Sequence, residues 1–213
     1  HSGASGAWVS GPEDLQNDQT KDEYFWGYAQ MTTVKGLFAA GDASGASSHK
    51  FSSGSHAEGR IAGKSAISYI VDNNTAPTID QGQIDELTKL ILKPVDMFEE
   101  HKGATTDPNV NPHYIRPKQY LYRLQKIMDE YAGGVSSQFK TSDKLLEKGL
   151  ELLQYLKEDS ANLAAEGLHE LMRCWENVHR TFQAEAHMRS ILFRTETRWP
   201  GYYFRSDTPN MDN

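Results

Sequence analysis

Residues 36–52 read GLFAAGDASGASSHKFS. An apolar run, Leu37 to Ala40, meets Gly41-Asp42 and gives way to a loop of glycine, alanine and serine. The chain continues as SSGSHAEGRIAGKSAISYI from Ser52 to Ile70. Its small polar start predicts a helix that begins near Ser53 and runs to about Ile70. Residues 36–40 are expected as a strand ending at Gly41. An aspartate there can accept hydrogen bonds from sugar hydroxyls, and a helix N-terminus offers unpaired N–H groups and a partial positive charge. The pair suits a phosphorylated, hydroxyl-rich cofactor. Each half alone is ordinary, since Gly-Asp is common in turns and serine is a favoured cap; their succession gives the reading its weight.

Outward from this stretch, the chain changes character once. Residues 1–75 are rich in Gly, Ala and Ser. The glycine-rich opening, His1 to Gly11, predicts close approach of the backbone to something else. Trp8-Val9 can form a short strand, residues 12–23 a polar excursion, and Tyr24 to Val34 a hairpin or strand. The run NNTAPTIDQG, Asn73 to Gly82, is turn-like and reads as a linker. Beyond it the period is helical. Ile84, Leu87, Ile91 and Phe98 mark one face, with Pro94 as a kink or break. Leu121, Leu124, Met128 and Tyr131 mark a second helix, stopped by Gly133-Gly134. Thr141-Ser142-Asp143 caps a third, with Leu145, Leu146, Leu152, Leu153 and Leu156 inside. Leu168, Leu171, Trp175, Val178 and Phe182 mark a fourth. The expected class is α+β: residues 1–75 a strand–loop–helix portion of a larger domain, 76–193 a helical bundle, and 194–213 an extended tail. In that tail Arg194, Glu196, Arg198 and Arg205 are expected to form an ion-pair network.

The bulk numbers narrow the classes. A net charge of −7 and a pI near 5.6, without a basic stripe, argue against a nucleic-acid surface. Mean hydropathy is −0.66, and no apolar run approaches the ~20 residues of a membrane span. The single cysteine, Cys174, cannot hold an iron–sulfur cluster or a structural zinc alone and reads as a small buried hydrophobe. Cysteine usage suits a reducing, cytoplasmic setting. His49 and His56 lack a nearby third ligand, and His169, His179 and His187 do not form a ligand ladder, so no metal site is expected. The chain opens on His1 in mid-pattern and reads as a fragment.

Three blocks then carry a resemblance. Leu37-Phe38-Ala39-Ala40-Gly41-Asp42, followed by Gly59-Arg60-Ile61-Ala62-Gly63, resembles the last stretch of the FAD domain in the fumarate reductase and succinate dehydrogenase flavoprotein superfamily. The tail RTETRWPGYYFRSD resembles that superfamily's ending. Within it, His49 to Arg60, Ala7 to Pro12 and Trp199-Pro200-Gly201-Tyr202-Tyr203 are most similar to the family of dissimilatory adenylylsulfate reductase alpha subunits. Fumarate-reducing members carry an arginine where this chain has Lys50. An ammonium suits a dicarboxylate less well than a bidentate guanidinium.

The resemblance implies a Rossmann-like FAD-binding portion, a C-terminal helical domain, and an oxidoreductase that interconverts adenosine 5′-phosphosulfate with sulfite and AMP. It implies FAD as redox centre and iron–sulfur clusters on a separate beta subunit, in a heterodimer or larger assembly. It assigns His1 to the substrate's anionic group as the catalytic histidine, Phe51 to the wall of the substrate site, and Gly41 and Asp42 to the ribityl chain. The N–H groups of Ser53, Gly54 and Ser55 would face the flavin's pyrimidine edge. The dinucleotide-binding GxGxxG loop does not occur in this sequence, so the chain alone is expected to bind FAD poorly and to be inactive. Two alternatives stay open. One is a dicarboxylate-specific flavoprotein of the same superfamily, including L-aspartate oxidase; the other is a helical interaction module over residues 83–190.

Overall fold

A computed structural model describes residues 6–11, 26–45, 52–107, 110–198 and 203–210. The described structure is mostly helical. The backbone divides into two compact units, His1–Ile79 and Asp80–Asn213.

In the first unit, helix α1 spans Ser52–Asp72, as the capping pattern predicts. The strand expected at residues 36–40 is not one. It makes a single antiparallel bridge, Phe38 opposite Met31, flanked by Thr32 N–H to the Leu37 carbonyl (2.8 Å) and Ala39 N–H to the Gln30 carbonyl (3.1 Å). The partner segment explains this. Trp26, Gly27 and Gln30 hold φ of 56°, 78° and 61°, and Gly36 in the turn holds 82°. Left-handed residues curl the chain away from the extended course that a ladder requires. Residues 7–10 pass alongside, with Val9 bridging Thr32 and Ala7 bridging Ser44. The far end of α1 is anchored on this layer by aromatic contacts. Tyr69 stacks edge-on against Tyr28 (5.3 Å) and Phe38 (6.2 Å), and the Tyr28 hydroxyl donates to Asp72 (2.9 Å).

In the second unit, α2 (Gln81–His101), α3 (Pro117–Tyr131), α4 (Asp143–Asp159) and α5 (Leu168–Phe193) pack around Tyr120, Leu124, Leu146, Leu153, Leu171 and Met188. The starts are capped locally. The Asp80 side chain accepts from Gln83 N–H (3.2 Å), and Ser142 accepts from Leu145 N–H. Gly133, at φ 81°, follows the end of α3. Pro94 does not break α2. It is buried within the helix, and its carbonyl accepts from Ala165 N–H (2.8 Å), so a tertiary contact holds the chain where local sequence would let it stop. Gly149 permits the closest helix approach: a Cβ there would stand 2.7 Å from Met188 Cε and 2.8 Å from Tyr131 Cβ.

Three expected faces are corrected. Ile84, Leu87 and Ile91 are exposed, although Pro94 and Phe98 continue the same stripe toward the core. The N-terminal half of α2 runs past the core, so the stripe is uncovered there. Leu145 is largely exposed, while Leu146, Leu153 and Leu156 are buried. On α5, Leu168 and Phe182 are exposed, and the buried line is Leu171, Cys174, Asn177, Thr181, Ala184, Met188 and Ile191. The period is the expected one but the phase is turned. Two polar residues lie inside with hydrogen bonds to α3, although the buried Asn177 Oδ1 has no partner among the described residues. Asn177 donates to the Pro117 carbonyl (2.7 Å), and Thr181 shares a hydrogen bond with the Tyr120 hydroxyl (3.0 Å).

The last described segment folds back on the bundle. Strand β2 (Phe204–Arg205) pairs in parallel with β1 (Lys140–Thr141). Arg205 is wholly buried. It donates to the Ile191 (2.8 Å) and Arg194 (2.9 Å) carbonyls and pairs with Asp207 and Asp143. The expected four-residue network is therefore two. Arg194 and Arg198 share Glu196 near the surface, while Arg205 pairs elsewhere. Cys174 is buried with its thiol toward the Ala164 carbonyl, and burial pushes that thiol up to about 12. The native protein should resist thiol-specific reagents at pH 8 and react fully on unfolding. A fast native-state reaction, followed by absorbance, would contradict the burial.

Candidate functional site

The site begins with a backbone constraint. Gly41 opens a one-turn 3₁₀ element, Gly41–Ala43, at φ 65°, a conformation that disfavours any side chain. A Cβ at Gly41 would stand 3.2 Å from Ser55 Oγ, so the turn sits against the start of α1. Gly41 N–H donates to Glu58 Oε2 at 2.7 Å, and Ser44 N–H closes the turn onto the Gly41 carbonyl (3.0 Å). Gly41 and Ser44 are buried, whereas Asp42 between them is exposed. The turn thus presents one carboxylate outward from a fixed backbone.

A second glycine brings the opening segment alongside. A Cβ at Gly6 would fall 2.1 Å from the Ala43 carbonyl oxygen. Ala7 N–H donates to that oxygen (2.9 Å), and Gly45 N–H donates back to the Ala7 carbonyl (2.9 Å). The close approach predicted for the glycine-rich opening is thus made to the residues that follow Asp42.

The start of α1 supplies the other wall. Ser53 is exposed, Gly54 and Ser55 are half-buried, and no acidic residue lies in the first turn. The positive end of this 21-residue helix thus carries no carboxylate within its own first turn. His56 Nδ1 lies 2.7 Å from the Ser52 carbonyl. Among the residues expected to act, Gly41, Asp42, Ser53, Gly54 and Ser55 are brought together. His1 and Phe51 lie outside the described residues, as do His49 and Lys50.

Glu58 is the residue that sequence reasoning missed, because a glutamate in a helix reads as solvated. Its signal was positional. It shares a helix face with Ser55, Ala62 and Ser65, all small, and small residues on one face mark close packing. The donor set fits a hydroxyl-rich and phosphorylated group: an outward carboxylate, glycine backbone, and a helix start with no acidic residue in its first turn. Among the described residues, no group of three or more His, Cys, Asp or Glu could hold a metal ion.

No protein-family model matches the sequence. One curated relative, the adenylylsulfate reductase alpha subunit of Megalodesulfovibrio gigas, is 46% identical over 216 aligned residues, covering 100% of this chain. Along its whole length, this chain matches part of an adenylylsulfate reductase alpha subunit. The part is 32% of that relative. Two solved structures of adenylylsulfate reductase, one from Archaeoglobus fulgidus and one in complex with sulfite as a covalent adduct, each give a TM-score of 0.90 at 54% identity. Each is covered over 33% of its chain and covers all of this one. Mycobacterium smegmatis Sdh1 in complex with UQ1 is more distant, with a TM-score of 0.60 and 26% identity over 83% of this chain and 28% of its own. Similarity thus falls from the adenylylsulfate reductases to the succinate dehydrogenase type, in the order that the loop and tail motifs imply. Among the described residues, no helix is long and apolar enough to cross a membrane.

Proposed function

We propose that this chain is the portion of an adenylylsulfate reductase alpha subunit that closes one side of the FAD site and also carries the helical domain. The observation that carries the proposal is the identity of about half its residues, over its full length, with adenylylsulfate reductases. The gap between 54% and 26% identity favours a sulfur substrate over a dicarboxylate. In this reading residues 1–75 complete the flavin domain, 76–193 form the helical domain, and 194–213 are the tail. The whole protein interconverts adenosine 5′-phosphosulfate with sulfite and AMP. An iron–sulfur beta subunit exchanges electrons with it, and the assembly works in the cytoplasm.

Geometry supports the roles of Asp42 and the start of α1, and the resemblance alone supports those of His1 and Phe51. Asp42, outward on a fixed turn, accepts from ribityl hydroxyls. The N–H groups of Ser53, Gly54 and Ser55 stabilise negative charge at the pyrimidine edge. FAD, when bound, supplies the redox chemistry. His1 would hold the substrate's anionic sulfur group and, when protonated, would stabilise the sulfite that forms once AMP has left and the flavin has supplied two electrons. Phe51 walls the substrate site and excludes water. The direct test is Asp42→Ala in the complete alpha subunit. Flavin absorbance per protein should fall first, with turnover per bound flavin changed less. Full flavin content in the variant would remove Asp42 from the cofactor site.

A further inference from the structure

Glu58 is a buried carboxylate to which the proposed function gives no role. It is only 8% exposed, lies on the second turn of α1, and accepts the Gly41 N–H at 2.7 Å. A carboxylate withdrawn from water is costly unless hydrogen bonds compensate it. The group that compensates Glu58 is the backbone of the turn carrying Asp42. Gly41 needs such a hold: its φ of 65° and its contact with Ser55 leave the turn seated on α1, and Ser44 N–H closes the turn from the other side. The hydrogen bond also ties the turn to the helix whose N-terminus forms the second wall, so one side chain fixes the spacing of both.

We infer that Glu58 is the positioning residue of the cofactor site: it holds Gly41 N–H and so aims Asp42 at the ribityl hydroxyls. This rests on the flavin reading. Glu58 touches neither cofactor nor substrate in this role and acts through Asp42. A carbonyl oxygen can accept the same hydrogen bond, so geometry rather than charge is what the site needs from this residue.

The experiment uses the complete alpha subunit and three variants: Glu58→Ala, Glu58→Gln, and Glu58→Ala combined with Asp42→Ala. Flavin affinity is measured by fluorescence quenching on reconstitution with FAD. Hydrogen exchange of a peptide containing Gly41 is measured by mass spectrometry on flavin-free protein. Glu58→Ala should weaken FAD by about tenfold, as expected for a lost hydrogen bond. It should also speed exchange at Gly41. Glu58→Gln should restore both to within about threefold, since its amide oxygen keeps the acceptor. In the Asp42→Ala background, Glu58→Ala should add little further loss of affinity while still speeding exchange. Full additivity in the double variant would overturn the inference by showing that Glu58 does not act through Asp42. Unchanged exchange in Glu58→Ala would overturn it by showing that the hydrogen bond does not hold the turn. If exchange responds as expected but no protein binds FAD, the flavin reading fails instead, and the two failures are distinguishable.

Discussion

Replacing Arg205 by alanine should destabilise the second unit by about 3 kcal/mol, the upper end of the range for leaving buried hydrogen-bond acceptors without their donor. The guanidinium is wholly buried and serves three roles at once. It satisfies the carbonyls of Ile191 and Arg194 at the end of α5, where a helix leaves acceptors unpaired and its dipole favours a cation. It neutralises Asp143 at the start of α4, and it neutralises Asp207, whose carboxylate also accepts from Asp143 N–H at 2.8 Å. Alanine removes the donor from both carbonyls and the cation from both carboxylates. In a chain of this size the melting temperature should fall by on the order of 10 °C, followed by far-ultraviolet circular dichroism. Lysine should recover only part of the loss, because one ammonium cannot span two carbonyls and two carboxylates. The pH dependence has a defined sign. The Arg205 hydrogen bond holds the Asp207 carboxyl far below its ordinary range. Its contribution is therefore complete above the unfolded value near pH ~4 and is lost as pH falls below it. The Arg205→Ala protein should lack that part of the acid sensitivity. A melting temperature within about 2 °C of wild type would refute the assignment of Arg205 as the pin of this segment.

Changing His1 to alanine in the complete enzyme should lower turnover of adenosine 5′-phosphosulfate by ~10²-fold, about 2.7 kcal/mol. That is the scale for removing one donor or cation aimed at a developing anion. Flavin content should stay near normal, because the proposed role of His1 is toward the substrate. The first described residues after it, from Gly6, run against Ala43 and Gly45, next to the turn that carries Asp42. The pairing of variants makes this sharp. His1→Ala should lose chemistry and keep flavin, while Asp42→Ala should lose flavin first. Normal turnover in the His1 variant, or flavin loss there with retention in the Asp42 variant, would reverse the two roles.

What the sequence by itself determined was local. Helix α1 is legible because small polar residues open it, and α4 because Ser142 caps it; a cap depends on hydrogen bonds within three residues. The close passage at Gly6 is legible because only glycine tolerates it. The motifs at residues 37–42 and 59–63 pointed to a flavoprotein for the same reason, since their chemistry lies in adjacent residues. What only the tertiary structure decided concerns partners distant in the chain. Pro94 stays inside a helix because Ala165 reaches its carbonyl, and α5 turns its polar Asn177 and Thr181 inward where α3 offers each a hydrogen-bond partner. Leu37 to Ala40 fails as a strand because its partner carries left-handed residues. Glu58 reads as a solvated charge and Arg205 as one member of a tail network until the fold closes over them, and groups distant in sequence then help to fix each. The physical reason is common to all of these. Propensity and capping act over one turn of chain, whereas burial is a property of whatever surface folding brings against a residue, and it alone decides whether a polar group must find a partner.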